Sequence, residues 1–152
     1  MSMDKAIGSA SVRVSKKITR IINHYLKPYH ITTEQWVVLR TLHDSDEIPQ
    51  KELSIRTDKD QATLTKILDL LEKRELTERI INPADRRSFI IRITKKGAEL
   101  VLQLTDFIEE AFLKIVVGIE SEKLEIYKEV LLLLENNIET LLEGSSQKHH
   151  NK

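Results

Sequence analysis

Residues 61–94 have the sequence QATLTKILDLLEKRELTERIINPADRRSFIIRIT. The first third of this stretch predicts a short amphipathic helix. Its large apolar residues recur at the i, i+3, i+4, i+7 spacing that places them on one face: Leu64, Ile67, Leu68 and Leu71. We therefore expect this face to pack on a core and the opposite, polar face to be exposed.

The second part of the stretch predicts a β-hairpin. Two runs rich in β-branched residues, 77–81 and 89–94, flank the loop-like sequence NPADRRS at 82–88. We therefore expect two short strands whose connecting loop carries Arg86 and Arg87 at its tip.

Two helices are predicted upstream of this stretch. Apolar residues three and four positions apart predict a helix over 12–27 that ends at Pro28. A capping-box pattern, in which Thr32 is followed three positions later by Gln35, predicts that a second helix begins there and runs to about His43.

Three more helices complete the predicted elements. Pro49 is suited to a first helical position, so a short helix is expected over 50–56. Thr94 is a good N-cap for a long helix over 95–118. A second long apolar pattern predicts a last helix over 121–143.

This order of elements is that of a winged helix-turn-helix, in which a short helix enters the DNA major groove and the hairpin forms a wing. The sequence thus predicts a mainly α fold with a small β-hairpin wing. We expect four segments: an N-terminal helix (1–30) that belongs to a dimerisation module, a winged helix-turn-helix lobe (31–96), C-terminal dimerisation helices (97–144) and a disordered polar tail (145–152).

The formal net charge of the chain is zero, because 24 Lys and Arg cancel 24 Asp and Glu. Bulk charge alone would argue against a nucleic-acid binder. The charge is unevenly distributed, however. Residues 51–98 carry twelve basic and eight acidic residues, whereas residues 99–144 carry three and eleven. The net charge of zero is therefore the sum of a basic and an acidic region. This is compatible with a basic functional surface and an acidic module elsewhere in the chain.

Composition excludes several classes of protein. With no Cys, the chain has no disulfide, no thiolate nucleophile and no cysteine-based zinc site. Charged residues interrupt every apolar run, and the N-terminus has no signal-peptide pattern, so we expect a cytoplasmic protein without a membrane segment. The sequence has no phosphate-loop, Gly-x-Ser-x-Gly or His-Glu-x-x-His motif. We therefore predict that the protein is not an enzyme and binds no cofactor.

The start of the recognition helix carries polar and basic side chains suited to DNA, namely Gln61, Thr63, Thr65 and Lys66. Glutamine can make a bidentate contact with adenine, whereas threonine suits a phosphate or a thymine methyl group. In the wing, Arg86 and Arg87 are expected to enter the minor groove, whose negative potential attracts guanidinium groups. Asp85 is expected to pair with one of these arginines and to hold its orientation.

Five segments, in their order along the chain, resemble the successive signatures of the MarR family of bacterial transcriptional regulators. They are ITTEQWVVL at 31–39, QKEL at 50–53, ATLTKILDLLEK at 62–73, DRR at 85–87 and ITKKG at 93–97. The Asp-x-Arg of the wing, followed at a fixed distance by a Thr-x-x-Gly helix start, is the most specific of them. The resemblance extends over nearly the whole chain.

The resemblance implies an obligate homodimer that binds a pseudo-palindromic double-stranded DNA operator and that in many members is released by a small ligand. Carried onto this sequence, the family's DNA contacts fall on Gln61, Thr63, Thr65, Lys66, Arg86 and Arg87, with Asp85 as the salt-bridge partner. One departure is Glu75, which stands where the family usually has glycine. We therefore expect the recognition helix to end without the usual left-handed glycine cap.

The C-terminal helices predict dimerisation from their own residues. Val130–Leu134, Ile138, Leu141 and Leu142 form an apolar surface that one lobe could not bury. Two copies that bury this surface together would form a twofold homodimer.

An effector site is a further hypothesis. Tyr25, Tyr29 and Trp36 are predicted to frame a cleft between the lobe and the dimer base, which would favour a planar apolar or phenolic ligand. Packing of these aromatic residues in the core is an open alternative. For the chain as a whole, the alternative function is a winged-helix protein-interaction adaptor without DNA affinity.

Overall fold

The computed structural model describes residues 1–150, with side chains as far as residue 148. Within this range six α-helices and three β-strands follow one another as α1 (Ala10–Leu26), α2 (Thr33–Asp44), β1 (Ile48–Pro49), α3 (Gln50–Arg56), α4 (Gln61–Lys73), β2 (Thr77–Asn82), β3 (Asp85–Ile93), α5 (Lys95–Ile115) and α6 (Ser121–His150). A π-helical turn precedes α1 and a 3-10 turn follows it. Residues Met1–Phe112 form one compact unit and α6 belongs to a second.

Side-chain caps explain where the helices begin. At α2 the predicted capping box is confirmed, because the Gln35 N–H donates to the Thr32 hydroxyl and the Thr32 N–H donates to the Gln35 side chain. The carboxylate of Asp60 caps α4 by accepting the Thr63 N–H at 2.7 Å. Thr94 caps α5 as predicted, since its hydroxyl accepts the Gly97 N–H at 3.0 Å.

The recognition helix α4 ends in a left-handed cap, although no glycine is present. Glu75 has a φ of 60°, in the left-handed region. The Leu76 N–H donates to the Leu71 carbonyl at 3.0 Å and the Glu75 N–H donates to the Glu72 carbonyl at 2.9 Å. This is the Schellman pattern. The expected lack of a left-handed glycine cap therefore needs correction: glycine is absent, but the left-handed turn is kept with Glu75, a residue that has a Cβ.

The sheet has three antiparallel strands in the order β1-β3-β2, whereas the sequence predicted two. Strand β1 is only two residues long and contains a proline, so neither alternation nor β-branched composition could indicate it. It pairs Ile48 with Ile91 and thereby joins the segment before α3 to the wing.

The tip of the wing is tighter than predicted. The predicted loop over 82–88 is wrong, because β2 extends to Asn82 and β3 begins at Asp85, which leaves a two-residue turn. The Asn82 side chain closes this turn by accepting the Ala84 N–H at 3.0 Å and donating to the Ser88 hydroxyl at 3.2 Å. Arg86 and Arg87 therefore lie on a strand.

The core of the lobe lies between the helices and the sheet. All four apolar residues predicted for the inner face of α4 are buried. Fully buried side chains from α2, α3, β3 and α5 also belong to the core: Leu39, Leu42, Leu53, Ile91 and Leu104. Truncation of such side chains typically costs about 2–5 kcal/mol of stability. The core therefore holds α4 firmly against the sheet, with its polar face outward.

Gly97, in the first turn of α5, allows two backbone segments to approach closely. A Cβ at this position would lie 2.2 Å from the carbonyl oxygen of Leu76. The same carbonyl accepts the Thr94 N–H at 3.1 Å. Glycine is required here because the start of α5 packs directly on the backbone that enters the wing.

The last helix is longer than predicted. Ser121–His150 form one helix. The prediction that this helix ends at Gly144 is therefore wrong, and so is the prediction of a disordered tail over 145–150. Asn151 and Lys152 of the predicted tail lie outside the described residues. None of the helices within 1–150 is both long enough and apolar enough to cross a membrane.

Candidate nucleic-acid interface

A cleft of about 450 Å³ lies between the recognition helix α4 and the wing. Three of the predicted DNA-binding residues line this cleft, namely Gln61, Thr65 and Arg87. The remaining lining residues come from α3, α4 and the strands: Gln50, Lys51, Asp69, Arg79, Ser88 and Phe89. The fold therefore brings side chains that are up to about forty positions apart in sequence to one concave surface.

The helix side of the cleft is ordered by hydrogen bonds between α3 and α4. Gln50 donates from its side-chain amide to the Thr65 hydroxyl at 3.0 Å. That hydroxyl in turn donates to the Gln61 backbone carbonyl at 2.8 Å. The Gln61 side chain donates to the Ser54 hydroxyl at 3.3 Å. Gln61 and Thr65 are exposed, one helical turn apart, and oriented by residues of the preceding helix.

Two other predicted helix contacts lie elsewhere. Thr63 is half-buried and its hydroxyl donates to the Asp60 carboxylate at 3.0 Å, so its side chain belongs to the cap of α4. The backbone N–H and hydroxyl of Thr63 lower the pKa of Asp60 because both stabilise the ionised carboxylate. Lys66 is exposed on α4 and does not line the cleft.

The wing places its two arginines differently. Arg87 lines the cleft, whereas Arg86 is exposed outside the cleft lining. The predicted ion pair of Asp85 is not formed: among the described side chains, no guanidinium lies within 4.0 Å of its carboxylate. Asp85 instead accepts the backbone N–H of Arg87 at 3.0 Å, because the tight turn brings that N–H closer than the flexible guanidinium.

The arginines of the hairpin fall into two electrostatic classes. Arg79 pairs with Asp69 and Glu72 on α4. Arg92 pairs with Glu78 and Glu47, and the hydrogen bond that Arg92 donates to the Glu78 carboxylate is the main cause that raises the pKa of Arg92. Arg86 and Arg87 have no acidic partner within the described part of the chain. Of these four hairpin arginines, Arg86 and Arg87 are therefore the ones whose charge is available to an anionic partner.

The residues predicted for an effector cleft separate into two environments. Tyr25 and Tyr29 contact the same ring, with centroids 6.1 Å and 5.4 Å from that of Phe107 on α5. Trp36 is only 3% exposed and lies in the core of the lobe. Its indole N–H is buried without a hydrogen-bond partner in the structure. The tyrosines thus form an aromatic cluster, while Trp36 has the position of a core residue.

Sequence reasoning did not select several residues of the cleft. Gln50 and Lys51 belong to the QKEL segment, but only their place in the cleft lining, and for Gln50 the bond to Thr65, assigns them to the site. Arg79 and Phe89 had been assigned only to strands. Strand alternation could have placed these two residues on the same face of the hairpin. It could not have shown which face of the hairpin packs against α4.

Several known proteins are similar to this chain. The MarR family model matches residues 31–89. A mutant MarR from E. coli complexed with operator DNA superposes with a TM-score of 0.80 and 25% identity, over 88% of this chain and 98% of that one. The S. aureus MepR–DNA complex has a TM-score of 0.79 and 22% identity, over 87% of this chain and 98% of that chain.

A third solved structure has the same fold. Bordetella bronchiseptica BpsR, from work on the regulation of its DNA binding by 6-hydroxynicotinic acid, has a TM-score of 0.79 and 24% identity, over 85% of this chain and 98% of that one. The predicted winged helix-turn-helix fold is thus confirmed. Residues 31–89 match the MarR family model, and the chain is similar in fold to an E. coli MarR mutant solved with operator DNA.

Proposed function

We propose that this protein is a transcriptional repressor that binds a pseudo-palindromic operator as a homodimer. The observation that carries the proposal is the cleft in which Gln61 and Thr65 of α4 lie beside Arg87 of the wing. Arg87 has no acidic partner among the described side chains, so its charge is available to DNA. The E. coli MarR mutant with the same fold has been solved on operator DNA, which supports this use of the surface.

Each side chain has a distinct role in the proposed complex. Gln61 at the start of α4 is placed to read a base edge in the major groove, and adenine suits its amide. Lys66, exposed on the same helix, neutralises a phosphate without reading sequence. Arg87 enters the minor groove, where its guanidinium meets the most negative potential of the duplex. Arg86 lies outside the cleft and contacts the flanking backbone.

Homodimerisation is supported by apolar surface that the single chain leaves in contact with water. On α6, Leu133, Ile138 and Leu141 are more than half exposed, and Leu141 is 71% exposed. On α1, Val14 and Ile21 are also exposed. Large apolar side chains exposed in this number are unusual on a monomer. A twofold dimer would bury such side chains and present two α4 helices to successive major grooves.

The DNA test is selection of operator fragments from a random library, followed by fluorescence anisotropy across a salt series. We expect retained fragments with inverted half-sites and an affinity that falls steeply with salt, by a slope of about −0.9 per phosphate contacted. A protein that retains no fragment at low salt would be the adaptor instead. Sedimentation gives the dimer test: a stable monomer at micromolar concentration contradicts the proposed assembly.

Release by a small planar ligand is the regulatory part of the proposal. The aromatic cluster of Tyr25, Tyr29 and Phe107 supports it, as does the fold shared with BpsR, whose DNA binding 6-hydroxynicotinic acid regulates. The chain has one Trp, so fluorescence excited at wavelengths that tyrosine does not absorb reports on Trp36. We expect 6-hydroxynicotinic acid or a phenolic carboxylate to change this fluorescence and to weaken operator binding. If compounds of this class change neither signal, the proposed effector class is wrong.

A further inference from the structure

Arg79 connects the wing to the recognition helix through several bonds. From β2 its guanidinium donates to the Asp69 carboxylate at 2.7 Å and to the Thr65 carbonyl at 3.3 Å, and it also bonds Glu72. These three partners all lie on α4. A single strand residue therefore holds two turns of the helix, and it is only 17% exposed.

The pairing of Arg79 with Asp69 also affects the charge of the cleft. The Asp69 side chain is 60% exposed and lines the same cleft as Arg87. A carboxylate without a partner at this place would repel phosphates. It would also attract a cation that lines the same cleft, and the guanidinium of Arg87 is one. In the structure Arg79 occupies the Asp69 carboxylate, and Arg87 remains without an acidic partner among the described residues.

We propose that Arg79 is a positioning residue for DNA binding: by occupying Asp69, it leaves the guanidinium of Arg87 for the operator. The inference rests on the proposed DNA-binding function of the cleft. Arg79 has little capacity to bind DNA itself, because it is largely buried and both of its terminal nitrogens donate to α4. Its effect on affinity therefore passes through Asp69 and Arg87.

Arg92 provides a matched control on the same hairpin. It also bridges two carboxylates, those of Glu78 and Glu47. The strand register pairs Glu78 with Arg92 and Arg79 with Ile91, so the two arginines lie on opposite faces of the sheet. Arg92 does not line the cleft. Its replacement removes the same charge from the same hairpin without affecting Asp69.

The experiment measures operator affinity for Arg79→Gln, Arg92→Gln and the double variant Arg79→Gln/Asp69→Asn. We expect Arg79→Gln to weaken binding at least tenfold and Arg92→Gln to leave it within twofold. The double variant has the net charge of the parent, and we expect it to recover to within threefold. A mutant cycle adds Arg87→Ala, whose effect should shrink in the Arg79→Gln background because Asp69 already holds that guanidinium.

The outcomes separate this inference from the proposed function. If Arg87→Ala alone leaves affinity unchanged, the DNA-binding cleft itself is wrongly assigned. If Arg87→Ala weakens binding but Arg79→Gln does not, the function stands and the role of Arg79 is refuted. Failure of Asp69→Asn to restore binding, with melting temperatures equal to the parent's, refutes competition for Asp69.

A single variant keeps the test decisive if Arg79→Gln does not fold. In Asp69→Asn the Arg79 side chain is intact and Arg87 is still available, so affinity should stay at the parental value or rise. A loss greater than threefold in this folded variant overturns the inference, because it means that DNA binding needs the Asp69 carboxylate.

Discussion

The carboxylate of Asp85 accepts a hydrogen bond from the backbone N–H of Arg87, 3.0 Å away. Asp85 thus holds the backbone of the strand that carries Arg87, and the guanidinium is left without an acidic partner in the described part of the wing. An acidic residue on a DNA-binding surface would ordinarily be unfavourable. Here one oxygen of the Asp85 carboxylate accepts a main-chain hydrogen bond, and this bond helps to position Arg87.

Arg87→Ala should cost about 1–3 kcal/mol of operator affinity, because it removes the cleft-lining guanidinium. Arg86→Ala is the matched control and should cost less, since Arg86 lies outside the cleft lining. Fluorescence anisotropy gives the affinities, and sedimentation checks that the oligomeric state is unchanged. Equal losses for the two variants would contradict the different placement of the two arginines.

Gln61→Ala and Lys66→Ala should differ in kind. The first removes a side chain oriented toward the cleft and should relax the preference at one base position in each half-site. The second removes a phosphate contact, so it should weaken binding to all sequences alike and reduce the salt slope by about 1. Binding to an operator library measures both. Identical profiles for the two variants would refute this division of roles.

Gly97→Ala should destabilise the lobe by about 1–3 kcal/mol, because the new methyl group would overlap the Leu76 carbonyl. Gly144→Ala is the control. Apart from the neighbouring residues and the backbone of its own helix, no atom of the described residues lies within 4 Å of a Cβ at Gly144. Because Gly144 is inside α6, this change should stabilise the helix by up to about 1 kcal/mol. Urea denaturation distinguishes the two, and a neutral Gly97→Ala would disprove the close approach.

Glu75→Gly should stabilise the protein by up to about 1 kcal/mol. A left-handed residue with a Cβ is strained by roughly 1–2 kcal/mol, and the flexibility of glycine in the unfolded chain offsets part of the gain. Lys73→Gly, at the last position of α4, serves as the comparison and should destabilise. Thermal melting at equal protein concentration measures the signs. A loss of stability with Glu75→Gly would mean that the Glu75 side chain contributes more than the strain costs.

Acidification should weaken the N-cap of α4. The folded-state pKa of Asp60 lies below its ordinary value of 3.8 because the Thr63 N–H and hydroxyl stabilise the carboxylate. The unfolded state therefore binds the proton more readily, and the contribution of Asp60 to stability is complete above about 3.8 and declines as the pH falls through the folded pKa. Asp60→Asn keeps a capping oxygen and cannot titrate. The stability difference between parent and variant should shrink below pH 4, and a constant difference would contradict the linkage.

Much of this molecule could be predicted from local sequence. Three short-range patterns each correspond to an observed element. They are the apolar residues three and four positions apart in α4, the capping box of Thr32 and Gln35, and the N-cap Thr94. Such patterns are informative because helix periodicity and capping depend on residues within one or two turns.

The placement of the site depended on contacts between distant residues. Strand β1 exists only because Ile48 pairs with Ile91, and the ends of α4 and β3 depend on backbone hydrogen bonds that composition does not encode. The partner of Asp85 is likewise decided by a tight turn, which brings a main-chain N–H within reach before any guanidinium.

By itself, the sequence determined the order of helices and hairpin, the polar face of α4 and the presence of arginines in the wing. Only the tertiary structure decided which of those charges are available. Arg79 and Arg92 are neutralised by carboxylates from other elements, whereas Arg87 faces the cleft without one among the described residues. The reason is physical: charge is counted along the chain, but the strength of an ionic interaction depends on the distance between atoms in space.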